Sequence, residues 1–112
     1  MANGYERAAN EIVPAARIVI ARQLKERYNM TESSIAAVLG VAQAAVSKYL
    51  NKPPSKAVEA ACSGIDHSQI SPRLESISKG DQEELKQCIC TICNSMNKFD
   101  CRFSYVKEAA KA

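Results

Sequence analysis

Cysteines are the residues of this chain best suited to chemistry, because four of the five lie between residues 88 and 101. Thiolates at such close spacing can ligate iron or zinc, or can exchange between thiol and disulfide. Cys90 and Cys93 are one helical turn apart, so their sulfurs can converge. Cys101 follows the expected helix end and can fold back towards them. We therefore predict these three as the sulfurs that metal or solvent can reach.

The fourth thiolate has two candidates. Cys88 is close in sequence, but an intact helix points it about 160° away from Cys90, whereas Cys62 could approach only through the fold. Four thiolates would suit an iron–sulfur cluster of the 4Fe-4S type, and zinc is the alternative metal. The other interpretations of these cysteines are a metal-free thiol switch and a role as small side chains of the core. The single histidine, His67, is expected at the surface rather than as a ligand.

The elements that carry these cysteines are predicted to be helices. Acids after Asp81 favour a helix start, and an apolar stripe follows at helical spacing. The members of that stripe are Leu85, Ile89, Ile92 and Met96. A second helix is predicted over about 14–28, with an apolar face made of Ile18, Ala21, Leu24 and Tyr28. Because no stretch alternates with period two and Gly/Asn hairpin turns are absent, we predict an all-α protein.

Residues 31–51 are predicted to form two short helices around a glycine turn. Thr31 is a good N-cap, and Glu32 suits the positive end of the helix dipole. The helix should end at Leu39, with Gly40 as a left-handed C-cap, and the next should open at Ala42 or its neighbour. Two short helices joined in this way form a helix-turn-helix. The competing interpretations are a helix pair in an unrelated bundle and a helix-turn-helix used for protein contacts.

The second helix of this pair would present a small polar face, because its apolar residues turn inwards. The predicted core is made of Ile35, Leu39, Val41, Val46 and Leu50, and Ala36 is predicted to face the point where the two helices cross. Glutamine can bond bidentately to adenine, alanine can touch a thymine methyl, serine can bond base or phosphate, and basic side chains can bond phosphates. The predicted DNA-contacting residues are Ala42, Gln43, Ala44, Ser47, Lys48 and Lys52, with Arg17 and Arg22 from the helix over 14–28.

These segments resemble a known family of DNA-binding domains. The sequences VPAAR from Val13, IARQL from Ile20, TESSIA from Thr31 and LGVAQAAVSKYL from Leu39 are similar to the phage-repressor-like (XRE-type) domain. More narrowly, the chain resembles small, mostly archaeal predicted regulators in which this domain precedes a cysteine-bearing tail. The resemblance implies a transcriptional regulator that senses redox or iron–sulfur status. It also implies that Cys90, Cys93 and Cys101 hold an iron–sulfur cluster.

Charge and apolar content divide the chain into two predicted parts. Residues 1–56 carry a net charge of +4, and residues 57–112 carry −1. A basic half favours a polyanionic partner, so we predict a helix-turn-helix DNA-binding domain over 1–56. The segment 57–112 is predicted to be a helical dimerisation and cysteine-cluster segment. A homodimer is expected, because one helix-turn-helix reads only a few base pairs.

Several functional classes are disfavoured. A chain of 112 residues is too short for a doubly wound cofactor domain or a TIM barrel. Enzymatic activity on a small-molecule substrate is not expected, because there is no Ser/His/Asp set and no phosphate-binding glycine loop. No apolar run approaches the roughly 18 residues that a membrane span requires. The polar N-terminus is unlike a signal peptide, so we expect a cytoplasmic protein without a membrane partner.

Overall fold

The regular structure of the protein is helical throughout residues 8–97, which are the residues that the computed structural model describes. The six α-helices are α1 (Val13–Tyr28), α2 (Glu32–Leu39), α3 (Gln43–Asn51), α4 (Lys56–Gly64), α5 (Ser71–Ser78) and α6 (Gln82–Asn97). A π-helical turn (Ala8–Ile12) leads into α1, and a 3-10 turn (His67–Gln69) connects α4 to α5. The predicted all-α fold is confirmed.

Helix α1 lies at the centre of the fold and contacts each of the other five helices. Pro14 occupies its first turn, where the missing N–H costs no helical hydrogen bond. The helix ends at Tyr28 because Asn29 adopts a left-handed conformation with φ 51°. The buried residues of α1 are Ala15, Ala16, Ile18, Val19, Ile20, Ala21, Gln23 and Leu24. Burial thus extends well beyond the predicted stripe.

Tyr28 departs from the predicted apolar face of this helix. Ile18, Ala21 and Leu24 are buried as expected, but Tyr28 is 42% exposed. It is the last residue of α1, where the chain turns away at Asn29 instead of continuing along the core. Its inclusion in the apolar face was therefore wrong.

Helix α6 packs its predicted stripe into the same core. Leu85, Ile89 and Ile92 are buried, and Met96 is half-buried. The Met96 side chain lies against the end of α4, where a Cβ built on Gly64 would stand 3.2 Å from Met96 Cε. The glycine therefore gives this methionine room to pack between the two helices.

Polar contacts tie the C-terminal helices to the rest of the fold. Arg73 of α5 forms a 2.9 Å ion pair with Glu84 of α6. The Gln82 side chain, at the start of α6, donates a 2.9 Å hydrogen bond to the Val38 carbonyl near the end of α2. This bond satisfies a carbonyl that the helix end would otherwise leave without an intrahelical partner. One buried cluster includes residues from both predicted parts of the chain, and the boundary near residue 56 stays a prediction.

Within the described residues, no single helix combines the length and the apolar composition needed to cross a membrane. Helices α2 and α3 together meet those criteria by length and composition alone, but the pair is bent by 114° at the turn between them. The same bend sets the geometry of residues 31–51.

Candidate nucleic-acid interface

The α2–α3 unit has the geometry of a helix-turn-helix. Its helices are bent by 114° and joined by a three-residue turn, within the range of about 90–120° that this motif shows. Thr31 caps α2, because its Oγ1 accepts a 3.1 Å hydrogen bond from the Ser34 N–H. Gly40 follows Leu39 with φ 69°, and its N–H donates to the Ala36 carbonyl. The predicted cap, helix end and glycine turn are confirmed.

A small apolar core holds the two helices at this angle. Ile35 and Val46 are fully buried, Leu39 and Ala36 are buried, and Val41 is half-buried. The Val41 N–H donates a 3.1 Å hydrogen bond to the Ala36 carbonyl, which closes the turn. Leu50 is also half-buried and packs on this core. The predicted inward-facing residues of the motif thus lie inside, with Val41 and Leu50 at the edge.

The outward side of α3 is open. Val46 is its one buried residue, whereas Gln43, Ala44 and Lys48 are exposed and Ser47 is half-buried. Helix α3 begins at Gln43, with the exposed Ala42 as its N-cap residue. The side chains predicted to face DNA therefore lie on the accessible face of the helix.

A polar network at the end of α3 was not anticipated from the sequence. The Asn51 amide nitrogen lies 3.4 Å from Ser47 Oγ and 3.4 Å from Glu32 Oε2, and donates to both. This network leaves the Ser47 hydroxyl hydrogen available for an external acceptor. Glu32 also places a carboxylate beside the C-terminal end of α3. The sequence assigned Glu32 only a role at the start of α2, and nothing local indicated a partner 19 residues away.

Basic side chains flank this face. Lys48 and Lys52 are exposed and line a mainly apolar hollow of about 290 Å³ together with Tyr49. Arg17 is half-buried on α1. Arg22 is also half-buried, and its Nε donates a 3.3 Å hydrogen bond to the Tyr49 carbonyl in the last turns of α3. Arg22 thus contacts the backbone of α3, and its predicted phosphate contact stays a prediction.

Cys62 and Cys88 each form a weak hydrogen bond to a backbone carbonyl. Cys88 is 0% exposed, and its Sγ donates to the Gln69 carbonyl at 3.8 Å. Burial raises the pKa of the Cys88 thiol to about 11, because a thiolate is poorly solvated there. Cys62 is half-buried with its Sγ 3.8 Å from the Ala15 carbonyl, and burial raises its pKa as well. Both thiols are therefore protonated at neutral pH.

Cys90 and Cys93 lie deeper than the sequence indicated. Each is only 2% exposed, so the expectation that solvent can reach these two sulfurs was wrong. Helix α6 packs against α1, α2, α5 and both short helical turns, and this wide contact buries more of its circumference than one stripe. The Asn94 amide nitrogen, one turn on, donates to Cys90 Sγ at 3.9 Å.

The described residues do not by themselves form a metal centre. Within residues 8–97, no three histidine, cysteine or acidic side chains come together as metal ligands. Cys101 lies outside the described residues, so the predicted set of Cys90, Cys93 and Cys101 stays a prediction, as does the choice between iron–sulfur and zinc. His67 is exposed, as expected, and its Nδ1 is hydrogen-bonded to Gln23 Nε2 at 3.0 Å.

Comparisons with protein families, with curated proteins and with solved structures gave no match for this chain. The features of the described residues that bear on function are the geometry of α2 and α3, the exposed face of α3 and the chemistry of its side chains.

Proposed function

We propose that this protein binds double-stranded DNA in a sequence-specific manner and regulates transcription, with α3 as the recognition helix. The observation that carries the proposal is the α2–α3 unit. It combines a 114° bend, a left-handed Gly40 turn and a recognition helix whose one buried residue is Val46. A helix held in this way is free to enter the major groove of B-DNA, which is wide enough to admit an α-helix.

The side chains on α3 supply the chemistry for reading bases. Gln43 lies at the N-terminal end of the helix, where recognition helices contact base edges, and its amide can bond bidentately to adenine. Ala44 is small enough to let the helix approach closely and can touch a thymine methyl. Ser47 keeps a hydroxyl hydrogen to donate while it accepts from Asn51. Lys48 and Lys52 would contact phosphates and fix the register on the duplex.

A second copy of the chain would extend the site that is read. Recognition helices of a dimer are spaced by one turn of DNA, about 34 Å. The described part of the chain measures 35 × 34 × 24 Å, so two copies side by side about a two-fold axis would match this spacing. We therefore expect a homodimer on a pseudo-palindromic site.

The test is selection of binding sequences from a random duplex library, followed by fluorescence anisotropy on the selected site. Gln43→Ala should weaken binding to the selected site by about 1–3 kcal/mol and leave binding to random DNA nearly unchanged. The same substitution on α6, Gln87→Ala, is the matched control and should leave both affinities unchanged. Lys48→Gln should weaken binding to all sequences and reduce the salt dependence of binding by about one phosphate contact.

Two results would refute the proposal. The first is that no sequence is enriched and the chain binds random duplex no better than the Lys48→Gln variant does. In that case α3 does not bind DNA, and the motif is a protein-contact module. If Gln43→Ala weakens binding to every sequence equally, Gln43 does not read bases. Dimerisation is checked separately by analytical ultracentrifugation with and without the selected duplex.

A further inference from the structure

A cleft beside α1 has polar walls, most of which the DNA-binding proposal does not use. It lies between α1 and α4, with His67 of the 3-10 turn at its border, and has a volume of about 290 Å³. The side chains that matter for its chemistry are Arg22, Gln23, Glu26, Glu59, Cys62 and His67. The α1 residues follow one another at helical spacing, so the cleft runs along one face of that helix.

Gln23 supplies a buried polar atom without a partner in this cleft. Its side chain is only 6% exposed. One end of the amide is bonded to His67 Nδ1 at 3.0 Å, and the other end, Oε1, is a buried atom without a hydrogen-bond partner. Because amide oxygen and nitrogen can exchange places, either orientation leaves one polar end unsatisfied. Buried polar groups of this kind are normally satisfied by protein, water or ligand.

The charged groups of the cleft face it without pairing with one another. Arg22 lies on one side, and Glu26 and Glu59 are the acids. Among the ion pairs of the described residues, none includes Arg22, Glu26 or Glu59. The charges of Arg22 and Glu59 both act on the Cys62 thiol: burial has the largest effect and raises its pKa, Arg22 opposes this by lowering the pKa, and Glu59 raises it further. The Arg22 guanidinium and the Glu59 carboxylate therefore both line the cleft without forming an ion pair with each other.

We infer that this cleft binds a small zwitterion of the α-amino-acid class. The ligand carboxylate would pair with Arg22, and the ammonium group would donate to Glu59 and, once the amide turns into the cleft, to Gln23 Oε1. The two carboxylates disfavour a bare anion, and within the described residues no three metal-ligating side chains come together. A volume of about 290 Å³ lies just below the range of about 300–1,000 Å³ for drug-sized ligand sites, which suits a smaller molecule of amino-acid size.

The same arginine links the cleft to the recognition helix. Its Nε donates to the Tyr49 carbonyl of α3 at 3.3 Å, and a ligand carboxylate would compete for the guanidinium donors. Loss of this bond frees the end of α3, so the ligand should bind more tightly to DNA-free protein, and DNA affinity should fall by the same factor. This consequence, unlike the binding site itself, rests on the proposed function.

The test is an NMR titration of the full chain, without DNA, with each standard L-amino acid at millimolar concentration. At least one should shift the Gln23 side-chain amide resonances together with backbone amides of α1 and α4. Arg22→Gln and Glu59→Gln should each weaken binding by about tenfold or more, because each removes a charge-assisted hydrogen bond. Lys25→Gln and Glu83→Gln, which remove the same charges outside the cleft, should bind as the parent chain does.

Analogues of the ligand sharpen this test. The N-acetylated acid and the decarboxylated amine of the best amino acid each lack one charge and should bind more weakly than the parent compound. The inference is overturned if no amino acid shifts these resonances, or if the shifts persist in Glu59→Gln, which alters an exposed residue and should leave the fold intact. The result for Arg22→Gln counts only if the dispersion of its amide spectrum matches that of the parent chain, which shows that the variant is folded.

Measurements with DNA distinguish a failure of this inference from a failure of the proposed function. Anisotropy on the selected duplex, with and without the amino acid, should show reduced affinity for the parent chain and no change for Glu59→Gln. An amino acid that binds without changing DNA affinity overturns the link through Arg22. A chain that binds the amino acid but no duplex overturns the proposed function, because the titration does not depend on DNA.

Discussion

Gly40 offers the most direct test of the turn between α2 and α3. Its φ of 69° lies in the left-handed region, and a Cβ added there would meet nothing within 4 Å. The cost of Gly40→Ala is therefore backbone strain without a clash. A left-handed conformation costs an L-residue about 1–2 kcal/mol, and the reduced entropy of the unfolded chain offsets about 0.4–1 kcal/mol of it. We expect a net loss of about 1 kcal/mol in the free energy of unfolding.

Urea denaturation followed by far-UV circular dichroism measures this loss. Gly40→Asn should cost less than Gly40→Ala, because asparagine tolerates the left-handed region better than alanine does. The matched control is Gly64→Ala, which has no left-handed backbone conformation to strain. There the new Cβ meets only Met96 Cε at 3.2 Å, the mobile end of a flexible side chain. Its effect on the free energy of unfolding should therefore be smaller than that of Gly40→Ala.

The relative stabilities of the three variants show whether backbone strain governs this turn. If Gly40→Ala and Gly64→Ala destabilise equally, or if Gly40→Asn is the most destabilising of the three, left-handed backbone strain does not govern this turn. The left-handed conformation of Gly40 would then not be what fixes the turn between α2 and α3. A change in the urea m-value would indicate an altered denatured state and would disqualify the comparison.

Three further predictions concern the core, the thiols and the charge at the interface. Ile35→Ala removes a fully buried side chain and should destabilise the fold by about 2–5 kcal/mol in urea denaturation. Burial raises the pKa of Cys88 from 9.0 to about 11. The buried, protonated thiol therefore contributes fully to the free energy of unfolding below pH 9, and this contribution should be lost as the pH rises to about 11. Unfolding measured across that range should thus show a weaker pH dependence in Cys88→Ala. Glu32→Gln removes a carboxylate beside α3 and should raise affinity for random duplex, an effect that added salt diminishes.

Each of these has a control. Ser33→Ala, at an exposed position of the same helix as Ile35, should change stability by no more than about 0.5 kcal/mol, and an equal loss in both variants would contradict the packing argument. An unchanged pH profile in Cys88→Ala would show that this thiol does not titrate as described. Glu83→Gln is the charge-matched control for Glu32→Gln, and equal gains in DNA affinity would mean that only net charge matters.

Local signals account for the part of the fold that the sequence predicted well. Thr31 and Gly40 act through hydrogen bonds to residues three or four positions away. Such bonds depend on neighbouring backbone and are visible in the sequence itself. The inward positions of α2 and α3 follow from the same short-range periodicity, which is why the exposed face of α3 could be predicted before its surroundings were known.

Long-range contacts decided the rest. Asn51 meets Glu32 across 19 residues, and Gln23 meets His67 across 44; no local pattern encodes either pair. The cleft between α1 and α4 exists only because these helices pack side by side, so its facing charges were not recognisable from spacing.

Local sequence signals were enough to predict α1, α2, α3 and α6, the caps of α2 and the polar surface of α3, because these depend on residues within one or two turns. The burial of Cys90 and Cys93 was set by tertiary packing. A helical wheel assumes one buried side, whereas α6 is covered by several elements at once. How much of a helix is buried depends on the number and placement of its neighbours, and that information is distributed over the whole chain.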